Sequence, residues 1–396
     1  MSLRSRSLMT DTVAKPMPKK MDPGSFDFGQ RPFLVCWETT NACDLACVHC
    51  RASAQQDPSP DELNAKESMR LVREVHEMGT PILIFTGGDP LKKKGLNDLI
   101  RYARSLGLKT GAIPAVTPLL TEARIRELKE AGLDQIAFSL DAPNAADHDA
   151  FRKTPGVFAR TLESVKIAKV CGLSPQINSL INVHNSRQLD EFIKLVESLP
   201  IVFWEVFFLV PMGRGADLNL LSAEKFDEAF EKIYALQKRV HFVIKVTEAQ
   251  HYRKYVFEQK LLERGIDPRT IDAGQITLPE LLRRAEGPGG SIGLAPKGVN
   301  SGKGFLFVSS RGEVFPSGFL PLKAGDFRKE NLSRIYRNSP LLKELRDPAR
   351  LKGKCGICPY KDFCGGSRSR AYAVTGDYLA EEPCCSYQPV RSTSKR

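Results

Sequence analysis

Short apolar runs alternate with amphipathic stretches of helical period between residues 33 and 211, and this alternation constrains the fold more than any other feature. The apolar runs predict strands at Phe33–Glu38, Ile82–Thr86, Leu108–Ile113, Gln135–Leu140, Gln176–Ile181 and Phe203–Val210. The stretches between them predict helices, among them Ala65–Met78, Leu96–Ser105, Glu122–Ala131, Phe158–Val170 and Ser186–Ser198. Strand–helix repetition of this kind builds a parallel sheet. Six units are too few for a closed eight-stranded barrel, so we predict an α/β fold, a partial (βα)6 parallel barrel that binds ligands at the carboxyl ends of its strands.

The rest of the chain is predicted to form appendages to this barrel. We expect a disordered leader over residues 1–30, the barrel core over 31–221, and a helical and glycine-rich bridging region over 222–303. Residues 304–389 begin with a hairpin signal and continue as a small cysteine-rich extension, and residues 390–396 form a basic tail. The extension has few apolar residues, so we expect bound metal to supply much of its folding free energy.

The chain carries 58 Lys and Arg against 46 Asp and Glu, a net charge of +12. Because the basic residues are scattered along amphipathic segments, they favour a solvated surface or an acidic substrate over nucleic acid. No run approaches the roughly 20 apolar residues of a membrane span. The basic residues at the N-terminus are not followed by an apolar stretch, so we expect no secretory signal and a reducing, cytoplasmic compartment.

Ten cysteines carry most of the functional information. In a reducing compartment, clustered cysteines bind metal more often than they form disulfides. Two groups are clustered: Cys43, Cys47 and Cys50 near one end, and Cys355, Cys358 and Cys364 with Cys384 or Cys385 near the other. Cys36 and Cys171 lie in apolar runs and are expected in the core.

The first group has the spacing C-x-x-x-C-x-x-C and directly follows the first predicted strand. Thiolates select iron–sulfur clusters, zinc or copper(I). Three ligands on one loop would leave one iron of a cubane cluster open to a further ligand. Zinc would need a fourth ligand, and His49 adjoins Cys50 too closely to complete a tetrahedron comfortably.

Cys43, Cys47 and Cys50 resemble the cluster-binding motif of the radical S-adenosylmethionine (SAM) superfamily, whose penultimate position is commonly aromatic or histidine, as His49 is here. The resemblance implies a 4Fe–4S cluster whose open iron chelates the amino and carboxylate groups of SAM. Reduction of such a cluster cleaves the sulfonium and yields a 5′-deoxyadenosyl radical, which takes a hydrogen atom from the substrate. The resemblance also implies an external electron donor of the flavodoxin or ferredoxin type.

The same resemblance assigns SAM contacts to several strand ends. The turn after the second strand looks like the family's G-G-E/D-P motif, and polar residues near the fourth and fifth strands match contacts to the SAM carboxylate or ribose. These residues are Gly87, Gly88, Asp89, Pro90, Ser139, Asp141 and Asn178. A side chain at Gly88 is expected to intrude on the SAM amino group. The alternative for the polar residues is that they cap loops, and residues 210–215 are expected near the adenine.

The second group has the spacing C-x-x-C-x-x-x-x-x-C and a late fourth cysteine, for which Cys385 is preferred over Cys384. A zinc ribbon is the rival to an iron–sulfur site. The segment resembles the SPASM or twitch extension of radical SAM maturases. The stretches Cys364-Gly-Gly-Ser367 and Glu382-Pro-Cys-Cys resemble enzymes that trim or oxidise haem-type tetrapyrroles and, more distantly, those that mature pyrroloquinoline quinone.

Relatives with two auxiliary clusters have cysteines where this chain has Ser317 and Ser367. A hydroxyl has a much higher pKa than a thiol and binds iron poorly, so the resemblance implies one auxiliary 4Fe–4S cluster. We therefore predict a radical SAM enzyme that acts on a tetrapyrrole or on a peptide. The alternatives are an iron–sulfur electron-transfer protein without SAM chemistry and a zinc-binding interaction module. Residues 248–252 and 300–304 are expected to line a substrate pocket, or else to be a solvated helix start and a flexible loop.

Overall fold

A single open sheet organises the protein. The computed structural model describes residues 26–270, 291–292, 295 and 297–389 of the chain. The described strands are β1 (Leu34–Glu38), β2 (Ile82–Thr86), β3 (Lys109–Ala112), β4 (Gln135–Ser139), β5 (Ser174–Ile181), β6 (Phe203–Phe208), β7 (Val243–Thr247), β8 (Phe305–Val308), β9 (Glu313–Phe315) and β10 (Gly325–Asp326). They form a 10-stranded sheet in the order β10-β9-β8-β1-β2-β3-β4-β5-β6-β7.

The predicted parallel α/β barrel is confirmed, and the sheet is wider than expected. Strands β1 to β7 run parallel, each paired with the next along the chain. Beyond the predicted six units, β7 extends one edge. At the other edge β8 pairs in parallel with β1, in the register Leu34↔Phe305 to Trp37↔Val308. The predicted hairpin is β8 and β9, so the C-terminal extension continues the sheet of the barrel.

Helices follow the strands, as the apolar periodicity predicts. The described α-helices are α1 (Ala65–Glu77), α2 (Leu96–Ser105), α3 (Glu122–Ala131), α4 (Ala145–Arg152), α5 (Val157–Val170), α6 (Leu189–Glu197), α7 (Ala223–Gln237), α8 (Tyr252–Leu262), α9 (Leu332–Asn338), α10 (Pro340–Arg346), α11 (Gly353–Gly356) and α12 (Arg368–Thr375). Within the described ranges, none of these helices combines the length and apolar character needed to cross a membrane.

The apolar core runs from the barrel into the extension without a break. Leu320, Phe327, Leu332, Ile335 and Leu342 are all buried in the same cluster as the barrel core. The expectation that the extension has few apolar residues to bury is therefore wrong for its first half. These side chains were overlooked because the sequence shows them as short, scattered apolar positions, and only the pairing of β8 with β1 places them against the barrel.

The N-terminal boundary of the ordered region also differs from the prediction. Phe26 and Phe28, placed in the disordered leader by the sequence, are buried and pack edge-to-face at 5.6 Å. Phe26 makes a second such contact with Phe33 at 5.7 Å. The remainder of the predicted leader and the tail at 390–396 lie outside the described residues.

The hydroxyl of Tyr336 fastens this aromatic segment to α9. It donates to the carbonyl of Phe28 at 2.7 Å and accepts the N–H of Gly304 at 3.1 Å. Tyr336 is itself fully buried. Since a buried polar group left without its partner is costly, this hydroxyl stabilises the junction between the segment before β1, the start of β8 and α9.

We predict that Tyr336→Phe lowers the free energy of unfolding by about 1–3 kcal/mol, because it leaves the Phe28 carbonyl and the Gly304 N–H without their partner. Urea unfolding followed by circular dichroism measures the change. Tyr102→Phe, at a half-buried tyrosine of α2, is the control, with an expected change within about 0.5 kcal/mol. Equal losses in the two variants would contradict the role given to the Tyr336 hydroxyl.

Candidate active site and auxiliary metal centre

The first cysteine loop begins directly after β1 and is held by backbone and carboxylate contacts. The N–H of Cys43 donates to the carbonyl of Gln55 at 2.7 Å. The Glu62 carboxylate accepts the hydroxyl of Thr40 at 2.7 Å and the N–H of Asn41 at 2.9 Å. Glu62 was not identified from the sequence, because it lies apart from the motif in an otherwise ordinary polar segment. These contacts fix the start of the loop at the carboxyl end of β1.

The structure brings the three predicted cysteines together. Cys47 forms a small apolar cluster with Leu45 and Val157, and Cys43 and Cys50 pack against that cluster. The sulfur of Cys43 accepts the N–H of Leu45 at 3.4 Å. The sulfurs of the loop therefore lie on one side of a partly apolar wall.

Arginine side chains surround this loop. A guanidinium nitrogen of Arg152 lies 3.6 Å from the sulfur of Cys47 and donates to it. Nε of Arg214 donates to the carbonyl of Cys47 at 2.9 Å. The sequence did not single out Arg152; its position at the end of α4, just past the carboxyl end of β4, is the signal that would have found it.

The loop fits an iron–sulfur cluster by the chemistry of its donors. Among the described residues, Nδ1 of His49, Nε of Arg152 and one terminal nitrogen of Arg214 are buried without a hydrogen-bond partner. Burial raises the pKa of Cys43 to about 11, so its thiolate needs a bound cation to form near neutral pH. Buried polar nitrogens beside thiols are the arrangement expected around a bound anionic cluster.

His49 is held away from a ligand role by stacking. Its ring lies 4.4 Å from that of Phe151 with an interplanar angle of 4°. Burial, reinforced by the charge of Arg152, lowers the pKa of His49 to about 3, so the ring is neutral. Stacking on Phe151 therefore accounts for a histidine next to Cys50, and no zinc site is needed to explain it.

The turn after β2 is fastened to the cysteine loop. The N–H of Gly88 donates to the carbonyl of Thr40 at 2.8 Å, and the N–H of Asp89 donates to that of Ala42 at 2.7 Å. A Cβ on Gly88 would lie 2.3 Å from the Ala42 carbonyl oxygen. The close approach of the two backbones therefore requires a glycine at this position. The expected contact of Gly88 with the SAM amino group stays a prediction. Gly87 approaches the loop in the same way, since its Cβ would lie 2.5 Å from the Thr40 oxygen.

The side chain of Asp89 points into the protein. Its carboxylate accepts the N–H of Leu91 at 3.0 Å and the hydroxyl of Thr117 at 3.2 Å. Pro90 is buried and begins the short turn of 3₁₀-helix that follows. Any contact of this turn with SAM would thus be made by backbone groups, and it stays a prediction.

Ser139, Asp141 and Asn178, the polar residues predicted to contact SAM, lie at the end of β4, just after it and within β5. Ser139 and Asn178 are register partners, and Ser139 is on the face of β4 that also carries Ala137. The carboxylate of Asp141 is buried, pairs with Arg152 and accepts the N–H of Leu180 at 2.9 Å. Asp141 therefore positions Arg152. Its contact with SAM, like those of Ser139 and Asn178, remains a prediction.

Residues 213–215 pack on the cysteine loop. A Cβ on Gly213 would lie 2.4 Å from the carbonyl oxygen of Arg51 and 2.5 Å from that of Cys50. The N–H of Arg214 donates to the Cys50 carbonyl at 3.0 Å. This segment therefore closes over the end of the loop, and its expected contact with adenine stays a prediction.

A large cavity fills the barrel, with about 1230 Å³ of empty space including its open mouth. Its walls carry five aromatic rings, from Phe203, Phe207, Phe305, Phe307 and Phe319, and three cationic side chains, from Arg51, Lys245 and Arg253. Cys36, expected in the core, also lines this cavity, whereas Cys171 is half-buried. Arg51 directly follows Cys50, so the cavity reaches the first cysteine loop.

Glu248 forms a polar wall of this cavity in an unusual conformation. Its φ of 55° is left-handed, which a side chain of this size rarely adopts, and the residue is 4% exposed. Its carboxylate accepts the hydroxyls of Ser369 at 3.2 Å, Ser317 at 3.4 Å and Ser367. Ser317 and Ser367, at which the sequence resemblance expects cysteine in two-cluster relatives, are thus both partners of Glu248.

The second cysteine group surrounds a separate, smaller cavity of about 370 Å³ including its opening. Cys355, Cys358, Cys364 and Cys385 line it. The thiol of Cys384 points elsewhere and lies 3.6 Å from the carbonyl of Leu221. In the described part of the chain, no three His, Cys, Asp or Glu side chains are close enough together to hold a single metal ion.

The surroundings of this second cavity also suit an anionic cluster. The sulfur of Cys355 accepts the N–H of Glu382 at 3.3 Å. Lys254, Lys354 and Lys361 line the same cavity. His251 lines it too, and both of its ring nitrogens are buried without a partner. Sulfur acceptors, cations and unpartnered donors together fit an auxiliary iron–sulfur cluster.

Comparison with known proteins agrees with this geometry. The sequence profile of the radical SAM superfamily matches residues 37–199. The AdoMet-dependent heme synthase of Methanosarcina barkeri is 37% identical over 358 residues, which are 90% of this chain and 97% of that relative. The AdoMet-dependent heme synthase of Oleidesulfovibrio alaskensis is 36% identical over 375 residues, 94% of this chain and 91% of that relative.

A solved structure shares the fold. The crystal structure of Streptococcus suis SuiB bound to S-adenosylmethionine matches with a TM-score of 0.67 at 14% identity, over 90% of this chain and 78% of that one. The chain belongs to the radical SAM superfamily. It is an enzyme that binds a 4Fe–4S cluster and SAM and cleaves SAM reductively, as the motif of the first cysteine loop predicts.

We predict that Gly88→Ala lowers the iron content by about four atoms per chain, one 4Fe–4S complement, because the added Cβ displaces the cysteine loop backbone. Iron and sulfide analysis after anaerobic reconstitution measures this. Gly107→Ala is the control for loss of stability alone, since a Cβ there meets nothing within 4 Å but strains a left-handed backbone at φ 84°, and it should keep its iron. Full iron content with weaker SAM binding in Gly88→Ala would instead support the expected contact of this glycine with SAM.

Proposed function

We propose that this enzyme oxidises a tetrapyrrole that carries carboxylate side chains, with one auxiliary 4Fe–4S cluster in its C-terminal extension. In this proposal Cys43, Cys47 and Cys50 hold the cluster that binds SAM. Bound together, that cluster and SAM supply a 5′-deoxyadenosyl radical, after an external flavodoxin or ferredoxin has provided the electron.

The observation that carries the substrate proposal is the composition of the barrel cavity. Five phenylalanine rings provide a broad apolar surface of the kind that a planar macrocycle covers. Three cations on the same walls suit several carboxylates. A peptide would leave this combination of rings and cations largely unexplained.

Each of the three cations of the cavity already has a protein partner. Arg51 pairs with Glu38 at 2.9 Å, and Lys245 pairs with Glu205 at 2.7 Å. Arg253 donates to the carbonyls of Phe363 and Val299. Each cation is thus held in place beforehand, which reduces the ordering that substrate carboxylates would otherwise impose. The names of the relatives, AdoMet-dependent heme synthases, agree with a substrate of this class.

The auxiliary site is proposed to hold a fully ligated cluster. Cys355, Cys358, Cys364 and Cys385 line one cavity, whereas Ser317 and Ser367 donate to Glu248. Four thiolates leave no iron open for substrate, so the proposed role is electron transfer. Because the hydroxyls are engaged by a carboxylate, a second auxiliary cluster has no ligands left among these positions.

We predict that the Cys43/Cys47/Cys50 triple alanine variant keeps about four irons per chain and no longer cleaves SAM. Metal analysis and 5′-deoxyadenosine formation in the reduced protein measure these two outcomes. Cys171→Ala, at a half-buried cysteine outside both groups, should keep all of its iron and its activity. Near eight irons in the triple variant would reveal a second auxiliary cluster, and about one zinc without iron would favour the zinc ribbon.

We predict that iron coproporphyrin III, which carries four propionates, binds at least tenfold more tightly than its tetramethyl ester, because the ester cannot pair with the cavity cations. A tenfold change corresponds to about 1.4 kcal/mol. Titration of the Soret absorbance measures both affinities. Lys245→Met should weaken binding of the acid and not of the ester, whereas Lys323→Met, at an exposed lysine outside the cavity, should change neither.

Turnover separates the substrate classes. Reduced enzyme supplied with SAM should convert the porphyrin to products of lower mass, with one 5′-deoxyadenosine formed for each hydrogen atom removed. Equal binding of acid and ester without any change in the porphyrin would overturn the tetrapyrrole proposal and leave a peptide as the substrate class. SAM-dependent chemistry on the porphyrin would likewise exclude the electron-transfer and zinc-module alternatives.

A further inference from the structure

The short segment between β7 and α8 divides its side chains between the two cavities. Glu248 and Gln250 line the barrel cavity, as the sequence suggested for a substrate pocket. His251, the last residue before α8, instead lines the cavity of the second cysteine group. Of residues 248–252, Glu248 and Gln250 therefore line the barrel cavity and His251 does not, while the role of this cavity as a substrate pocket stays a prediction.

His251 has an unsatisfied hydrogen-bonding requirement. The residue is 4% exposed, and neither Nδ1 nor Nε2 has a hydrogen-bond partner among the described residues. An imidazole ring carries at least one N–H in every protonation state. A buried donor without a partner is costly, so natural proteins retain one where a ligand completes it.

The ring of His251 is fixed in place by aromatic packing. Phe226 lies 5.2 Å from it at an interplanar angle of 34°, and Phe230 lies 4.9 Å from it at 63°. These contacts prevent the ring from turning toward solvent. The N–H is therefore available only to a group inside the structure.

The lysines of the same cavity already have partners. Nζ of Lys354 donates to the carbonyl of Cys385 at 2.6 Å, and Nζ of Lys361 donates to the carbonyl of Gly356 at 3.0 Å. Lys254 pairs with Glu258 at 2.6 Å. Among the described residues that line this cavity, His251 is the one with buried side-chain nitrogens that lack a protein partner.

We propose that His251 donates a hydrogen bond to a sulfur of the auxiliary cluster and raises the reduction potential of that cluster. This inference rests on the auxiliary cluster of the proposed function. Reduction adds one negative charge to the cluster, and a fixed N–H in a buried site stabilises that charge more than it stabilises the oxidised form. His251 is thus a positioning and tuning residue, which makes the cluster a better acceptor of one electron.

The test is a redox titration monitored by electron paramagnetic resonance, in the Cys43/Cys47/Cys50 triple alanine chain, where the auxiliary cluster gives the only signal. With His251→Phe, we expect the ratio of reduced to oxidised cluster at a fixed applied potential to fall about tenfold. For a one-electron couple, a tenfold fall in this ratio corresponds to a midpoint potential that is lower by about 59 mV. His251→Gln retains an N–H donor and should recover part of the shift.

His49→Phe in the same background is the matched control. It makes the same substitution at a half-buried histidine whose Nδ1 is buried without a partner, but at the first loop, and it should leave the auxiliary potential unchanged. An unchanged potential in His251→Phe, with about four irons retained, would overturn the inference. Absence of iron from the triple variant itself would instead overturn the auxiliary cluster of the proposed function.

A measurement on the chain that retains His251 does not depend on whether the His251 variants fold. In the triple alanine chain labelled with ¹⁵N-histidine, pulsed resonance spectra of the reduced cluster should show a weak nitrogen coupling and a coupled exchangeable proton. Absence of both would overturn the inference. A strong coupling typical of direct iron–nitrogen ligation would overturn it as well, because His251 would then be a ligand.

Discussion

The parallel pairing of β8 with β1 is the constraint on which the arrangement of the two cysteine groups depends. The pairing runs from Leu34↔Phe305 to Trp37↔Val308 and joins strands that are far apart in the sequence. It places the extension beside the strand that leads into the first cysteine loop. Long-range parallel pairing of this kind gives no local sequence signal beyond two apolar runs, yet it decides which residues face the barrel cavity.

A buried polar network then ties the extension to the barrel. Arg370 and Glu382 form a fully buried ion pair at 3.1 Å, and Arg370 also donates to the carbonyls of Leu209 and Glu248. Such a pair stabilises little by itself, but loss of one partner typically costs about 3–5 kcal/mol. Ser367 completes the connection, since its N–H donates to Glu382 and its hydroxyl to Glu248. The barrel cavity and the second cysteine cavity therefore share one hydrogen-bonded wall.

This wall contains Ser317 and Ser367, the positions at which the sequence resemblance expects cysteine in relatives with two auxiliary clusters. Both serines donate to a carboxylate that has no lysine or arginine side chain bonded to it among its described contacts. Burial raises the pKa of Glu248 above its usual range, and the serine hydroxyls oppose that rise. The carboxylate and its serine partners thus form one compact hydrogen-bonded group in the cavity wall.

Much of this molecule was predictable from local pattern. Short apolar runs and helical periodicity specify strands and helices from neighbouring residues alone, so the barrel units were predicted with boundaries close to those observed. Cysteine spacing specifies the ligands of a loop in the same local way. The tertiary structure decided what depends on residues distant in the sequence. It places Cys385 and not Cys384 in the second group, and it brings the Ala42 carbonyl so close to Gly88 that a side chain there has no room. It also turns His251 toward the cysteines and Glu248 toward the barrel. The reason is physical, since spacing along a chain determines which side chains share a turn or a strand face, whereas contacts between separate elements exist only once the sheet order has been set.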